Sequence, residues 1–480
     1  MQKYLIVLLL SSAFLAGPVS ATRHCYTVNP ARQTHTHEGW GVSLCWWANV
    51  CGQWSDRQVD ELIDWLVSPE GLGYSVFRYN IGGGDDPSYA HCDEHHFCKG
   101  KGCRAEMEGF KDSTHGAYVW TRDSAQRRVM LKIREKCPDA VFEAFSNSAP
   151  YYMTYSGCCG GAVKPDEDNL KPEYYEEFAR YLVDVCRYYK EEHGIEFQSL
   201  EPFNEPSTDY WYANGSQEGC HFSPSSQVAF LKVLAPLLKA SGLSTFISAA
   251  DESVLSHGIT SFKTYADAGV LDLIGRWNNH TYHGDNAERS QLSRLVREAG
   301  LKLWMSETGD GGHGLEGNLK VAQRLIDDER YLQPDAWVDW QYVEEGNDQW
   351  CLVKADFARQ TYRKVKNYSV RRQFTSFIRK GYRFLDVDDR QTLAAVSPAG
   401  DTLVLVSLNA SRSHSALYEV DLTACRSLGG CRAYLTDSRQ DVSPTDFFTF
   451  GEGRLSFVLQ PLSVVTFVIP LAESKRETVE

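Results

Sequence analysis

The sequence predicts an α/β protein built from a (β/α)8 barrel and an appended antiparallel β-sandwich side domain. Two observations carry this prediction. Over about the first 370 residues, eight short apolar runs of β type alternate with amphipathic helical patterns, as a barrel of parallel strands requires. From Phe374 onward, short alternating runs follow one another with turn residues between them and no convincing helix, which is typical of a β-sandwich.

The composition is that of an ordinary globular protein, with 42% apolar and 23% charged residues in a chain of 480. The 63 acidic residues outnumber the 49 basic ones, which gives a net charge of −14 and argues against a nucleic-acid partner. Aromatic residues are abundant, with 12 Trp, 25 Tyr and 22 Phe. Their flat apolar rings suit a protein that binds sugars.

The N-terminal residues have the pattern of a secretory signal peptide. Met1–Lys3 is a short basic start, Tyr4–Leu10 is an apolar run too short to span a bilayer, and residues 19–21 form a small-residue cleavage pattern. We therefore expect residues 1–21 to be removed and the mature protein to be secreted or periplasmic, away from membranes. Residues 22–373 are assigned to the barrel and 374–480 to the side domain. Residues 22–37 are a candidate for an extra strand of the side domain.

The barrel strands are predicted from apolar runs of β type. They are Trp40–Cys45, Val76–Asn80, Val141–Phe145, Gln198–Phe203, Thr245–Ala249, Trp277–Thr281, Leu303–Ser306 and Trp337–Tyr342. Helices are predicted at Ser55–Leu66, where Ser55 and Gln58 can form a capping box, and at Pro172–Glu192 and Ser223–Ala240. A doubly wound sheet is the alternative, but no glycine-rich phosphate turn follows the first strand.

The side domain is predicted to consist of strands alone. The clearest runs are Thr402–Leu408, Ala416–Leu422, Arg432–Leu435, Leu455–Leu459 and Val464–Ile469. No tryptophan follows Trp350 in the chain. We therefore expect the sandwich to support the barrel rather than to bind a glycan.

Two glutamates follow predicted strands where such a barrel places its catalytic groups. Glu205 follows the fourth strand in Glu-Pro-Phe-Asn-Glu-Pro (201–206), and Glu307 ends the seventh in Leu-Trp-Met-Ser-Glu-Thr-Gly (303–309). Because three βα units separate them, they can face each other across the barrel mouth. Acetal hydrolysis requires one carboxyl to protonate the leaving oxygen and a second to meet the developing oxocarbenium ion. The pair therefore predicts a carbohydrate hydrolase.

Five motifs in order along the chain resemble glycoside hydrolase family 30, whose fold is a (β/α)8 barrel with a side β-sandwich. They are the two glutamate motifs, Gly-Trp-Gly-Val-Ser-Leu-Cys-Trp-Trp-Ala (39–48), Phe-Arg-Tyr-Asn-Ile-Gly-Gly-Gly (77–84) and Phe-Ser-Asn-Ser-Ala-Pro-Tyr-Tyr-Met-Thr (145–154). The resemblance covers essentially the whole mature chain. The adjacent Trp46 and Trp47 are most similar to the endo-β-1,6-galactanase branch of the family.

The resemblance implies a role for each matching residue. Glu205 is the expected general acid/base and Glu307 the expected nucleophile, and Asn204 is expected to hydrogen-bond the sugar 2-hydroxyl. Arg78 and Tyr282 match positions that hold the nucleophile. The further expected substrate-binding residues are Asp85 for sugar hydroxyls, Trp340 as a stacking platform, Trp46, Trp47, Asn147 and His280.

Physical arguments accompany some of these roles. An arginine near Glu307 should keep that carboxyl ionised, whereas a carboxyl that faces the charged nucleophile should have a raised pKa and stay protonated. Strand alternation allows one residue of the Trp46–Trp47 pair to reach the cleft, and a pair buried in the core is the alternative. His280 is expected to be a hydrogen-bonding residue of the active site rather than a metal ligand.

All 14 cysteines follow the predicted cleavage site, and an even number in an exported protein favours disulfides. Cys425 and Cys431 could close a short loop of the sandwich, whereas adjacent Cys158 and Cys159 are expected to pair with distant partners. The cysteines and histidines between residues 92 and 103 are of ligand type for zinc, but their spacing matches no familiar zinc site. We therefore expect neither a metal nor a cofactor.

Together these patterns predict a secreted retaining glycoside hydrolase that cleaves β-1,6-galactosidic bonds in galactan or arabinogalactan side chains by a two-glutamate double displacement. We expect a monomer whose partner is a polysaccharide or oligosaccharide. The sugar and the linkage come from the resemblance alone. A β-1,6-glucanase or another β-glycosidase on the same scaffold is the first alternative. A glycan-binding protein without catalysis is an alternative from another class, and a metal-dependent hydrolase is the third.

Overall fold

The computed structural model describes residues 21–84, 107–213, 215–346, 348–426 and 429–472. Asp85, the cysteines and histidines between residues 92 and 103, and all of the predicted signal peptide except Ala21 lie outside these ranges. No helix within them is long and apolar enough to cross a membrane.

Eight parallel strands close into a barrel, which confirms the predicted (β/α)8 architecture. Two strands precede it, β1 (Thr22–Thr27) and β2 (Gln33–Thr36). The barrel strands are β3 (Gly39–Ser43), β4 (Val76–Asn80), β5 (Val141–Phe145), β6 (Ser199–Glu201), β7 (Phe246–Val254), β8 (Arg276–His283), β9 (Lys302–Thr308) and β10 (Ala336–Asp339). Strand β4 is buried on both faces, because its inner side chains fill the barrel and its outer ones meet the helices.

Helices follow the barrel strands on the outside. The described α-helices are α1 (Trp47–Cys51), α2 (Asp56–Val67), α3 (Ser124–Lys136), α4 (Tyr175–His193), α5 (Pro224–Ala240), α6 (Leu255–Asp267), α7 (Asn286–Glu298), α8 (Gly314–Asp327) and α9 (Lys366–Thr375). Short 3₁₀ turns span Tyr151–Met153, Pro172–Tyr174 and Leu271–Leu273, and a π-helical turn spans Asp328–Leu332. The capping box predicted for α2 is present between Ser55 and Gln58.

Two of the helices show how local sequence sets their ends. Helix α4 follows the 3₁₀ turn that begins at Pro172 and ends where Gly194 adopts a φ of 62°. Helix α5 begins after Ser223, whose side chain accepts a hydrogen bond from the Ser226 backbone N–H. Both ends follow the usual preference for serine at an N-cap and glycine after the last turn.

A small sheet of β11 (Val343–Glu345), β12 (Val353–Asp356) and β13 (Thr361–Lys364) follows the barrel. The side domain then contains β14 (Arg383–Leu385), β15 (Thr392–Val396), β16 (Thr402–Asn409), β17 (Ala416–Asp421), β18 (Arg432–Thr436), β19 (Ser443–Thr445), β20 (Phe448–Gly451), β21 (Arg454–Leu459) and β22 (Ser463–Pro470). One of its sheets has the order β1-β17-β21-β20 and the other β19-β18-β22-β16-β15-β14-β2. The N-terminal segment therefore supplies one edge strand to each sheet.

The larger sheet of the side domain joins the barrel through an apolar layer. In β16, Val404 and Val406 belong to the same buried cluster as the barrel core, whereas Leu403 and Leu405 belong to the core between the two sheets. Because successive side chains of a strand point to opposite faces, one strand serves both cores. From helix α9, Gln373 accepts a hydrogen bond of 2.6 Å at its carbonyl oxygen from Thr466 Oγ1 of β22.

The predicted Cys425–Cys431 disulfide is wrong, since both residues are thiols. Cys425 Sγ points to the carbonyl of Val28 at 3.5 Å, while Cys431 Sγ lies near the carbonyl of Arg432. Cys158 is disulfide-bonded, and Cys159 is not its partner because its Sγ donates to the Gly84 carbonyl at 2.9 Å. The broader expectation of disulfides fails for a further group of described cysteines that are thiols: Cys25, Cys45, Cys51, Cys137, Cys186 and Cys220.

Candidate active site

The two glutamates lie at the carboxyl end of the barrel. Glu307 is within β9, and Glu205 follows β6 in a left-handed backbone conformation with a φ of 49°. That conformation is held on both sides, because the Glu205 N–H donates to the Asp251 carbonyl at 2.9 Å and its own carbonyl accepts from Trp211 Nε1 at 3.0 Å. Both side chains are nearly buried, with the residues 6% and 3% exposed for Glu205 and Glu307. The fold therefore fixes the positions of both carboxyls at this end of the barrel.

His280, within β8, lies between the two carboxyls. One oxygen of each glutamate and one ring nitrogen of His280 all lie within 4.8 Å of one another. His280 Nδ1 is 3.2 Å from Glu205 Oε1 and 3.6 Å from Glu307 Oε1, and its Nε2 is 3.2 Å from Asp251 Oδ1. A single imidazole thus faces three carboxylates, none of which is exposed.

Tyr282 and Arg78 contact the Glu307 carboxylate directly. The Tyr282 hydroxyl donates to Oε1 at 2.9 Å, and Arg78 Nη1 lies 3.4 Å from Oε2. Arg78 is fully buried and has closer partners, since its Nε donates to Glu143 at 2.9 Å and its Nη2 donates to Asp251. Of the three carboxylates that contact Arg78, that of Glu307 is therefore the most distant.

Burial raises the pKa of Glu307 to about 7, and the nearby Glu205 carboxylate adds to the rise against the opposing charges of His280 and Arg78. This differs from the expectation that Arg78 would keep Glu307 ionised over the usual range of a carboxyl. The reason is that the Arg78 guanidinium forms closer ion pairs with Glu143 and Asp251 than with Glu307.

His280 is the cation at the centre of the site. Burial lowers its pKa, but the charges of Glu307 and Asp251 outweigh burial and raise it to about 10. Among the described residues, Glu205, His280 and Glu307 form the single group with a geometry that could hold a metal ion. A metal ligand must be a neutral imidazole, so an ion bound here would have to displace the proton that the surrounding carboxylates favour on His280. The imidazolium itself supplies the positive charge between the glutamates.

A cavity of about 530 Å³ opens above the glutamates, within the usual range for ligand sites. Of the predicted residues, Asn204, Glu205, Tyr282, Glu307 and Trp340 line it. Buried Asn204 has an amide oxygen without a partner among the described residues. Asp85 lies outside those residues.

The other predicted binding residues lie behind the cavity wall. Trp46 packs edge-to-face against Trp340 with ring centroids 5.0 Å apart. Trp47, on α1, is in the barrel core, where its Nε1 donates to the Ser43 carbonyl at 3.0 Å. Asn147 Nδ2 lies 3.6 Å from Cys45 Sγ. Arg78 and His280 act through the glutamates they contact.

Several lining residues were missed from the sequence. They are Tyr210, Trp211, Ser253, His257, Asp310, Arg324 and Trp350. An aromatic run, Tyr210-Trp211-Tyr212, closely follows Glu205 and was the available signal for the first two. Arg324 is on α8, and its Nη1 donates to Thr308 Oγ1 and to the Gly309 carbonyl. No spacing in the sequence predicts this contact.

Comparison with known proteins shows the family of this chain. A family model described as "O-Glycosyl hydrolase family 30" matches residues 24–260. An endo-beta-1,6-galactanase from Hypocrea rufa is 31% identical over 416 residues, which cover 84% of each chain. The chain belongs to glycoside hydrolase family 30. It is thus a glycoside hydrolase, similar to the endo-β-1,6-galactanase of that fungus.

Two more distant similarities complete the comparison. An exo-beta-1,6-galactobiohydrolase from Bifidobacterium longum is 24% identical over 426 residues, covering 68% of this chain and 28% of that protein. The crystal structure of a conserved exported protein from Bacteroides fragilis superposes with a TM-score of 0.77 at 18% identity, covering 92% of this chain and all of that one. The structural likeness shows that the two share the barrel-and-sandwich fold.

Proposed function

We propose that this family 30 enzyme is a secreted, retaining hydrolase that cleaves β-1,6-galactosidic bonds in galactan or arabinogalactan side chains. One observation carries the mechanism: carboxylate oxygens of Glu205 and Glu307 lie within 4.8 Å of each other. Carboxyl groups about 5–5.5 Å apart are typical of retaining glycosidases, whereas inverting enzymes need about 6.5–9.5 Å to admit a water molecule. The site thus favours attack by a carboxylate on the sugar.

In the first step, Glu307 attacks the anomeric carbon while Glu205 gives its proton to the leaving oxygen. The bond to the leaving sugar breaks as the bond to the Glu307 carboxylate forms. In the second step, Glu205 takes a proton from water, whose oxygen attacks the anomeric carbon and releases Glu307. The Glu307 pKa of about 7 sets a condition on this scheme, because this carboxyl must lose its proton before it attacks the sugar.

The surrounding residues supply binding and positioning. Tyr282 and Arg78 donate to the Glu307 carboxylate and hold it toward the cavity. Asn204 lines the cavity and is the expected partner of the sugar 2-hydroxyl, and Trp340 offers an apolar ring for stacking. Asp85, which the resemblance assigns to sugar hydroxyls, stays a prediction.

The choice of galactose and of the 1,6 linkage rests on similarity to the Hypocrea rufa galactanase, and secretion rests on the signal-peptide pattern of residues 1–21. The sandwich is proposed to support the barrel, since one of its sheets completes the barrel core. We expect the enzyme to act as a monomer that needs neither a metal nor a cofactor.

The proposal is tested by incubating the enzyme with purified β-1,6-galactan and β-1,6-glucan side by side and identifying the products. We expect faster release from the galactan, with the product anomer that forms first having the β configuration of the substrate by NMR. Faster release from the glucan would identify a glucanase, and binding without release would identify a glycan-binding protein. Activity that disappears with a chelator would identify a metal-dependent enzyme.

A further inference from the structure

Tyr210 lies in the cavity beside the predicted general acid. Its hydroxyl donates to Glu205 Oε2 at 2.7 Å and lies 3.1 Å from Ser253 Oγ. The residue is nevertheless 43% exposed and lines the cavity. Burial, reinforced by the Glu205 charge, raises the pKa of Tyr210, so its hydroxyl remains a donor. One end of this side chain is therefore fixed while the rest faces open space.

The loop that carries Tyr210 is held firmly. The Tyr210 ring packs edge-to-face against Trp211 at 4.8 Å, and Trp211 is 3% exposed with its indole bonded to the Glu205 carbonyl. Gly219 packs so closely that an added Cβ would lie 2.1 Å from the Trp211 ring. Backbone hydrogen bonds join Ala162 to Trp211 and Ala213, which ties this loop to the one before α4. Tyr210 is thus placed in advance of any ligand.

The position of Tyr210 indicates which part of a substrate it meets. The leaving oxygen must approach Glu205 within hydrogen-bond distance to receive its proton. The sugar that forms the covalent intermediate must lie over Glu307, which Tyr282 contacts. Tyr210 contacts the Glu205 oxygen that does not face His280. The saccharide that departs with the leaving oxygen is therefore the part of the substrate nearest to the exposed Tyr210 ring.

We propose that Tyr210, together with Ser253, forms a subsite for the leaving saccharide and for an acceptor saccharide in the second step. The inference rests on the proposed acid and nucleophile roles of Glu205 and Glu307. The Tyr210 ring packs against the apolar face of a pyranose, and its hydroxyl orients Glu205. A neutral sugar suits the subsite better than an anionic one, because four carboxyl residues line the cavity against one arginine, Arg324. The four are Glu205, Asp209, Glu307 and Asp310.

An occupied subsite changes the second step in a defined way. A hydroxyl of the bound acceptor sugar takes the place of water, gives its proton to Glu205 and attacks the anomeric carbon. The bond between that carbon and Glu307 breaks, and a new glycosidic bond forms. The enzyme should consequently produce transfer products when acceptor saccharide is plentiful.

The experiment compares Tyr210→Ala, Tyr210→Phe and the control Tyr212→Ala with the wild-type enzyme. Tyr212 is a matched control because it lies two residues away and is 45% exposed, but does not line the cavity. The polymer is whichever of β-1,6-galactan and β-1,6-glucan the wild-type enzyme cleaves. The second substrate is the matching glycosyl fluoride, which needs neither a leaving saccharide nor a proton donor in its first step.

For Tyr210→Ala we expect the KM for the polymer to rise and the ratio of transfer to hydrolysis to fall. Each change should be about twofold to tenfold, which is the size expected for the loss of one aromatic ring contact. The first-turnover release of fluoride should stay unchanged. Tyr210→Phe should keep the KM but lower kcat, since the ring remains and the hydroxyl that orients Glu205 is gone. Tyr212→Ala should match wild type in every measurement.

Two outcomes would overturn the inference. If Tyr210→Ala kept the wild-type KM and transfer ratio, the subsite would not exist although the enzyme's function stood. If Tyr210→Ala slowed fluoride release as much as polymer cleavage, the residue would serve the structure of the site only. A wild-type enzyme that cleaved neither polymer and released no fluoride would refute the proposed function and the subsite together.

Discussion

Two buried clusters of charge in this protein differ in their balance. In the first cluster, Asp339 at the end of β10 forms a two-bond ion pair with Arg371 of α9, at 2.8 and 2.9 Å, and also accepts a hydrogen bond from the Tyr74 hydroxyl. Each charge there has one partner of opposite sign. The pair joins the barrel to the helix that leads into the side domain, and its role is structural.

The cluster around the glutamates is unequal. Its contacts join four carboxylates to three cations. The carboxylates are those of Glu143, Asp251, Glu205 and Glu307, and the cations are Arg78, Arg276 and His280. Because the carboxylates outnumber the cations and the site is buried, the pKa of Glu307 is raised to about 7. A matched pair leaves no buried charge without a partner, whereas an unequal cluster beside a cavity contains a group that can exchange a proton.

The largest expected effect is a loss of activity when the glutamate cluster is changed. Glu307→Gln keeps the size of the side chain but removes the nucleophile, so we expect turnover of the polymer to fall by roughly 10⁴-fold or more. The folded protein should keep its circular dichroism spectrum. Initial rates with purified enzyme measure the change, and a variant with more than a tenth of wild-type activity would contradict the assignment.

The structural pair should show the opposite behaviour. Arg371→Ala leaves Asp339 buried without its cation, so we expect the free energy of unfolding to fall by about 3–5 kcal/mol. Urea denaturation measures this loss, while kcat of the folded fraction should stay near wild type. The double variant Arg371→Met with Asp339→Asn is the control, since it removes both charges and should recover most of the lost stability. No recovery would show that the side-chain volume mattered rather than the charge.

The unequal cluster should also make stability depend on pH. The folded-state pKa of Glu307 is raised from 4.5 to about 7, so the folded protein holds this proton more tightly than the unfolded chain. Stability should therefore fall as pH rises from about 4.5 to 7 and remain lower above it, by roughly 3 kcal/mol. Glu307→Gln should remove this fall, so its unfolding free energy relative to wild type should be higher at pH 8 than at pH 4. An equal difference at the two pH values would contradict it.

The smallest effect concerns the pH at which activity begins. Because Glu307 must be ionised to attack, kcat/KM should decline as pH falls through about 7. His280→Gln removes a cation that lowers the Glu307 pKa, so the acid limb should move upward by roughly one unit. A pH profile with the glycosyl fluoride measures this shift. His257→Gln is the control, because it changes a histidine of the cavity that is outside the group formed by Glu205, His280 and Glu307. A downward shift would show that His280 does not act as a cation.

The sequence predicted those parts of the site that depend on local patterns and strand order. Strands β4 and β5 coincide with their predicted runs because both are short and bounded by turns. Glu205 and Glu307 could be found because barrel strands bring their carboxyl ends to one face. Trp46 and Trp47 could not be separated, since the chain leaves β3 for α1 between them and directs the second ring into the core.

The sequence by itself determined the barrel, the sandwich and the placement of the two glutamates, because hydrophobic periodicity and strand order depend on the order of residues in the chain. Only the tertiary structure decided the charge of each group. Arg78 is shared among carboxylates from three other strands, and His280 is charged because Asp251 and both glutamates surround it. A pKa depends on burial and on the distances to neighbouring charges, and both arise when distant segments meet. The same holds for Tyr210, whose value as a subsite comes from the cavity beside it.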